Sequence, residues 1–228
     1  MSLPDFRGLG AAGAIETLEG LGWTRSATGD WSWVLISPDG AQAARVSPWD
    51  AAYRLHAELC QSSRNPYLQR VDAILRLRAV GHVVLMERLY PAPEDIAAPF
   101  CAALAVTGDS GWQSPDGLDT SRYDDDPELD DLRQHLRQLN ERGLSLPFWG
   151  GLDVRPGNVM ADAEGGLKLI DPVFVAGRKI VEAIVAKDAD ALARLPPGAL
   201  AAFLTIPVFD AGAAPLRTAC AEMGLLEA

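Results

Sequence analysis

The most regular hydrophobic pattern in the chain lies at residues 127–140, where Leu129, Leu132, Leu136 and Leu139 recur at intervals of three and four. That spacing puts one apolar stripe on a helix and predicts that the stripe is buried. Acidic residues crowd its start and basic residues its end, as the helix dipole favours, and Gly143 stops it. Residues 10–22, rich in Ala, Leu and Glu, predict a shorter helix with Ile15, Leu18 and Leu21 on one side and Gly22 as its stop. Between these helices the pattern turns to short apolar runs. Residues 31–36 and 43–46 read as strands on either side of a Ser-Pro-Asp-Gly turn, and Ser47-Pro48 ends the second. Asp50 can then cap a helix that runs to Ser62, with Tyr53, Ala57 and Cys60 near one face.

Further on, residues 71–78 and 83–86 read as strands separated by a turn at 79–82, and Pro91 and Pro93 mark the chain's departure from this β region. Residues 96–106 form an apolar helix. Residues 107–126 mix Gly, Ser, Asp and Pro, which predicts a long loop. Its terminal acidic run reads as a solvated segment or as an attractor for a cationic acceptor such as an amine. After Pro172, helices are expected at 178–186, 188–193, 198–204 and 213–226, with Pro196-Pro197 as a break. The sum is an α+β chain, strands first and helices later.

Composition narrows the class without choosing a function. At 228 residues with 48% hydrophobic content, the chain can bury a sizeable core in one domain or two small lobes. The net charge of −11 speaks against nonspecific binding to nucleic acid or to an anionic membrane surface. Cys60, Cys101 and Cys220 are odd in number and far apart, with no metal spacing or disulfide framework. The first residues lack a basic region followed by an apolar core, and no run reaches the roughly 20 apolar residues of a membrane helix. The expectation is a cytoplasmic protein that engages neither nucleic acid nor membrane.

Chemistry concentrates in residues 149–172. The stretch Trp-Gly-Gly-Leu-Asp-Val-Arg-Pro-Gly-Asn-Val-Met carries Asp153, Arg155 and Asn158, and Gly-Leu-Lys-Leu-Ile-Asp-Pro follows with Asp171. Between Asn158 and Asp171 lies a hairpin pattern: a short apolar run, an Asp-Ala-Glu-Gly-Gly turn, and a second apolar run. A hairpin folds the chain back, so Asp171 returns towards Asp153 and Asn158. The three side chains make a small oxygen-rich set suited to Mg²⁺, which takes few carboxylates and shares phosphate oxygens. The plainer reading is a surface hairpin in which Asp and Asn serve only as turn formers.

The pattern Asp-x4-Asn, a β turn, then apolar-apolar-Asp-Pro resembles the catalytic and metal-binding loops of the protein-kinase-like superfamily. It is most similar to the aminoglycoside phosphotransferase and choline kinase branch and to small bacterial and phage-type kinases. The resemblance implies a bilobal fold: an antiparallel-sheet lobe over residues 1–89 covering a nucleotide, and a helical lobe over 90–228 with a minimal activation segment. It implies ATP and Mg²⁺ as cofactors and a hydroxyl-bearing acceptor, either a small molecule or a protein. Asp153 would orient the acceptor hydroxyl or take its proton, and Asn158 and Asp171 would hold Mg²⁺ on the phosphates. Arg155 would contact the transferring phosphate or the acceptor; otherwise it is a surface base beside Pro156. Arg45 falls where a strand lysine contacts the α- and β-phosphates, and Glu58 follows it at a separation suited to an ion pair, its other reading being a solvated helix charge. Met86, Glu87 and Leu89 occupy the hinge whose main chain would bond adenine. The chain departs from the family at three places: Arg45 replaces lysine, Gly29 alone stands for a glycine-rich loop, and Gly151 occupies the usual histidine position two residues before Asp153. Those departures point towards the alternative, a pseudokinase that binds nucleotide or a partner with little turnover.

Overall fold

The computed structural model describes residues 4–104, 112–209 and 212–226. In chain order they form α1 (Ala11–Gly20), β1 (Thr24–Thr28), β2 (Trp33–Ile36), β3 (Gln42–Ser47), α2 (Ala51–Ser62), β4 (Val71–Arg76) and β5 (His82–Glu87). Next come β6 (Tyr90–Pro91), α3 (Glu94–Leu104), α4 (Pro127–Gly143), β7 (Trp149–Leu152), β8 (Val159–Ala161), β9 (Leu167–Leu169) and β10 (Val173–Val175). Four helices close the chain: α5 (Gly177–Val185), α6 (Ala189–Leu192), α7 (Ala199–Phe203) and α8 (Ala214–Glu222). The class is α+β, with small antiparallel sheets and several helices, as the periodicities predict. Among the described residues no helix is long and apolar enough to cross a membrane. Of the long loop expected at 107–126, residues 107–111 lie outside the described residues. The rest carries one 3-10 turn at Ser121–Tyr123 before Asp126 caps α4.

Two compact units divide the chain. The first comprises Met1–Asp50, Ala73–Leu85 and Ala176–Ala228. Its sheet has the strand order β1-β2-β3-β5-β4, with β1 and β3 each antiparallel to β2. Helix α1 presents Ala14, Ile15 and Leu18 to this sheet and meets Leu35, Ala44, Val46, Val83 and Leu85 in one cluster with Trp23. Fully burying each Leu, Ile or Val of that cluster contributes roughly 1.5–3 kcal/mol, which is what fixes a ten-residue helix of modest intrinsic stability. A cut after Leu89 would assign the C-terminal helices to the other unit. Residues 176–228 belong to the first unit instead, and aromatic packing explains it. Trp31, Trp49 and Phe203 lie with ring centroids 5.5–6.3 Å apart. Nearby, the Val208 N–H donates to Asp30 O over 3.2 Å.

The second unit comprises Ala51–Asp72 and Met86–Val175. Helix α4 is its axis. Leu129, Leu132, Leu136 and Leu139 are all buried to 1% exposure or less, and Asp126 caps the helix by accepting from the N–H groups of Glu128 and Leu129. Packed near α4 are α2, α3 and β7. Where α4 ends, a Cβ at Gly143 would lie 2.4 Å from the Trp149 ring, so the glycine lets β7 start directly against the helix. Trp149 Nε1 donates to Asn140 Oδ1 over 3.0 Å, which anchors the start of β7 to α4.

Candidate functional site

Strands β7 and β10 form a two-stranded antiparallel ribbon with Leu152 opposite Val173, Gly151 opposite Phe174 and Trp149 opposite Val175. The register slips at Gly150, which is left without a partner as in a β-bulge. A Cβ there would lie 2.4 Å from the Phe174 ring and 2.8 Å from Phe174 O, so only glycine fits. Gly151 adopts φ 104°, a region that side-chain-bearing residues avoid. The residue in place of the expected histidine is thus set by backbone geometry. Just past the ribbon, the Asp153 N–H donates to Pro172 O over 2.6 Å. The ribbon therefore brings Asp153 to the Asp171–Pro172 peptide.

Asn158 joins the two. It closes the 3-10 turn Pro156–Asn158 and is only 7% exposed. Its Nδ2 donates to Asp153 O at 2.7 Å, to Asp153 Oδ2 at 2.9 Å and to Asp171 O at 2.8 Å. An amide nitrogen has two hydrogens, so one of them is shared between two acceptors. The Asn158 main chain is committed as well: its N–H donates to Arg155 O and its carbonyl accepts from Ile170 N–H, both at 2.9 Å. One buried side chain thus sets the separation of the two candidate carboxylates' backbones. With Nδ2 turned inward, Oδ1 is the amide's remaining ligand atom.

Arg155 Nε lies 3.1 Å from each oxygen of the Asp153 carboxylate. The arginine side chain is 51% exposed and the Asp153 side chain 18%, so water competes for this pair and an incoming ligand can part it.

The expected hairpin is present. Strand β8 pairs β9 with Val159 opposite Leu169, Met160 opposite Lys168 and Ala161 opposite Leu167, and β6 lies on the other edge of β8. Asp162 organises the turn: its Oδ1 accepts from the N–H groups of Glu164 and Gly166, and Lys168 Nζ lies 3.2 Å from its Oδ2. Partial burial pushes the Asp162 carboxyl up, but the Gly166 and Glu164 N–H groups and the Lys168 ammonium outweigh it and hold the group below its usual range. Since the folded value is the depressed one, this stabilisation is present above the unfolded carboxylate pKa and is lost as pH falls through the folded value. In acid titrations of the melting temperature, Asp162→Asn is therefore expected to flatten the decline below about pH 4. An unchanged acid limb would remove Asp162 from the account.

The upstream candidates each have partners within their own unit. Arg45, on β3 of the first unit, is buried and donates to Asp50 Oδ2 over 3.0 Å, the two side chains being 10% and 6% exposed. Glu58, on α2 of the second unit, pairs with Arg54 at 3.0 Å and faces Arg142 at 3.8 Å. Met86 is buried, and its sulfur accepts from Tyr53 Oη over 3.5 Å; Gln69 Nε2 donates to the same hydroxyl. Glu87 is tied to Arg70 twice: its carboxylate accepts from Arg70 N–H, and its own N–H donates to Arg70 O. Leu89 is half-buried beside them. Gly29 lies between β1 and β2, its N–H donating to Ser32 O. The three cysteines are free and buried; burial pushes the Cys101 thiol up to about 12 and raises the other two as well.

Among the described residues, no group of three or more His, Cys, Asp and Glu side chains is arranged to hold a metal. The donors at this site are two carboxylates and one amide, a different set. No protein-family model matches the chain, and no curated protein matches it.

Proposed function

We propose that the chain is an ATP- and Mg²⁺-dependent phosphotransferase of protein-kinase-like fold, acting on a hydroxyl group of a small molecule or a protein. The observation that carries this reading is the Asn158 amide, which holds Asp153 and the Asp171 peptide to one point. Further support comes from element order. Arg45 lies on the third strand of the first sheet, α4 leads directly into β7, and the hairpin separates Asn158 from Asp171.

The donor set fits the metal: hard oxygens from Asp171 and from Asn158 Oδ1, few in number, as Mg²⁺ accepts when phosphate and water complete its shell. Asn158 and Asp171 would hold it, and bound there it would neutralise charge on the phosphate oxygens. Asp153 accepts the hydrogen of the acceptor hydroxyl and aims its oxygen, once Arg155 yields one carboxylate oxygen. The freed guanidinium then meets the transferring phosphate or the acceptor. By the same resemblance Arg45 would supply charge towards the α- and β-phosphates, and the main chain of Met86, Glu87 and Leu89 would receive adenine. The helix partner that the resemblance implies for Arg45 is not needed, since Arg45 is paired with Asp50 and Glu58 with Arg54. Catalysis in such a site is positioning and electrostatics, with no covalent intermediate on the protein.

One set of observations favours a nucleotide-binding or regulatory module with little turnover. Arg45 is buried against Asp50, and a planar guanidinium does not substitute directly for a compact ammonium. Gly151 provides no imidazole under the loop.

Thermal unfolding with ATP, with and without Mg²⁺, separates the possibilities. Mg²⁺-dependent stabilisation is expected, strongly weakened by Asp171→Ala, together with ATP consumption that Asp153→Ala abolishes. Stabilisation without consumption selects the module. No shift under any metal condition rejects both readings.

A further inference from the structure

Strand β9, which delivers Asp171, is only three residues long. It pairs with β8 on one side, and a strand this short does not hold its own register without cover on its other edge. That edge is covered by residues 65–68, the connection between α2 and β4. Leu68 forms a parallel bridge with Leu169, and the Leu169 N–H donates to Tyr67 O over 2.8 Å. Lys168 Nζ, from the next residue back, donates to Pro66 O over 2.7 Å.

The same four residues are held at their far side by the start of α4. Asn65 Nδ2 donates to Glu128 O at 2.6 Å and to Asp131 Oδ2 at 3.0 Å, while its Oδ1 accepts from Tyr67 N–H at 2.9 Å. Tyr67 Oη donates to Asp126 Oδ2 at 2.5 Å, and Asp126 is the residue that caps α4. The Tyr67 ring also packs against Phe100 of α3, with centroids 5.1 Å apart. Asn65 is 9% exposed, so its bonds to α4 are sheltered from water. The segment therefore bonds a rigid helix with its side chains and a metal-side strand with its backbone.

We infer that residues 65–68 are a positioning strap: they transmit the fixed position of the α4 N-terminus to β9 and so set where Asp171 stands relative to Asn158. Strand β9 and the two residues after it are clamped from two directions, by the strap at Leu169 and by Asn158, whose carbonyl accepts from the Ile170 N–H and whose Nδ2 donates to Asp171 O. Tyr67 and Asn65 touch neither nucleotide nor acceptor in this account; they act through Leu169. The functional consequence, control of the Mg²⁺ requirement, rests on the phosphotransferase reading.

The test uses Tyr67→Phe, which keeps the ring and removes the bond to Asp126, and Asn65→Ala, which removes the bonds to Glu128 and Asp131. Asp126→Asn serves as a third variant, because asparagine still caps the helix but is a weaker acceptor for the tyrosine. Two quantities are read on the full chain: amide exchange of the peptide spanning 167–171, and the Mg²⁺ concentration giving half of the ATP-dependent thermal shift. Residues that orient metal ligands commonly change metal affinity by 10–100-fold, so a rise of about tenfold in that midpoint is expected, with faster exchange at 167–171. A destabilised control, Leu139→Val in the α4 core, is expected to lower the melting temperature and leave the Mg²⁺ midpoint in place. Wild-type exchange at 167–171 in the variants, or loosened exchange with an unmoved midpoint, overturns the strap. Silence of the unaltered chain towards Mg²⁺ and ATP overturns the phosphotransferase reading itself, and the functional role of the strap with it.

Discussion

Asn158→Ala is expected to destabilise the protein by about 3 kcal/mol, since it strips a donor from two backbone carbonyls and a carboxylate oxygen in a sheltered site. For a chain of this size that corresponds to a fall in melting temperature of about 10 °C, measurable by calorimetry or by denaturant titration at unchanged m value. Asn158→Asp separates the causes. Aspartate has nearly the same volume, so if packing were the main term the substitution would be mild. If donation is the main term, it is at least as harmful as alanine, because a carboxylate would then face Asp153 Oδ2 at the 2.9 Å now spanned by a hydrogen bond. A stable Asn158→Asp protein at neutral pH would sink this account of the amide. On the proposed function, both variants also lose Mg²⁺-dependent stabilisation by ATP.

Gly150→Ala comes next in expected size, at about 2–3 kcal/mol, within the range found for forcing extra atoms into a packed site. The new methyl would meet Phe174 twice, at the ring edge and at the carbonyl oxygen. The ring can turn away, but the carbonyl is held in the ribbon. Phe174→Leu in the Gly150→Ala background is therefore expected to recover part of the loss and not all of it. Gly157→Ala is the contrasting case. A Cβ there meets nothing nearer than Arg155 Nη1 at 3.7 Å, and the change is expected to stay within about 0.5 kcal/mol. Denaturant midpoints for the four proteins decide the matter; full rescue by Phe174→Leu would show that the backbone contact is unimportant.

The parts of the structure that were legible in the sequence are those whose signal is local. The leucine stripe of α4 repeats within one helix, and the β8–β9 hairpin declares itself through its turn residues and two short apolar runs. The Asp153, Asn158 and Asp171 grouping followed from that hairpin. Strand β7 was hidden because two of its four residues are glycine, which weighs against a strand unless a bulge requires it. Strand β1 is exposed at all five positions and so has no buried face to create alternation. The discontinuous make-up of the first unit left no local signal, because Trp31, Trp49 and Phe203 meet across most of the chain and no pattern confined to a window records such a contact. The strap was missed for a related reason. Its residues are turn formers by composition, and only their distant partners on α4 and β9 give them a role.

The return of residues 176–228 to the first unit has a consequence for how the chain is made. Synthesis proceeds from the N-terminus, and domains tend to fold as they emerge. All of the second unit has been made once Val175 is out, whereas Trp31 and Trp49 must wait for Phe203, roughly 170 residues after Trp31. Until Phe203 has been made, Trp31 and Trp49 lack a ring that both pack against in the folded chain. The unit that begins first is therefore finished last, after every residue of the second has been made.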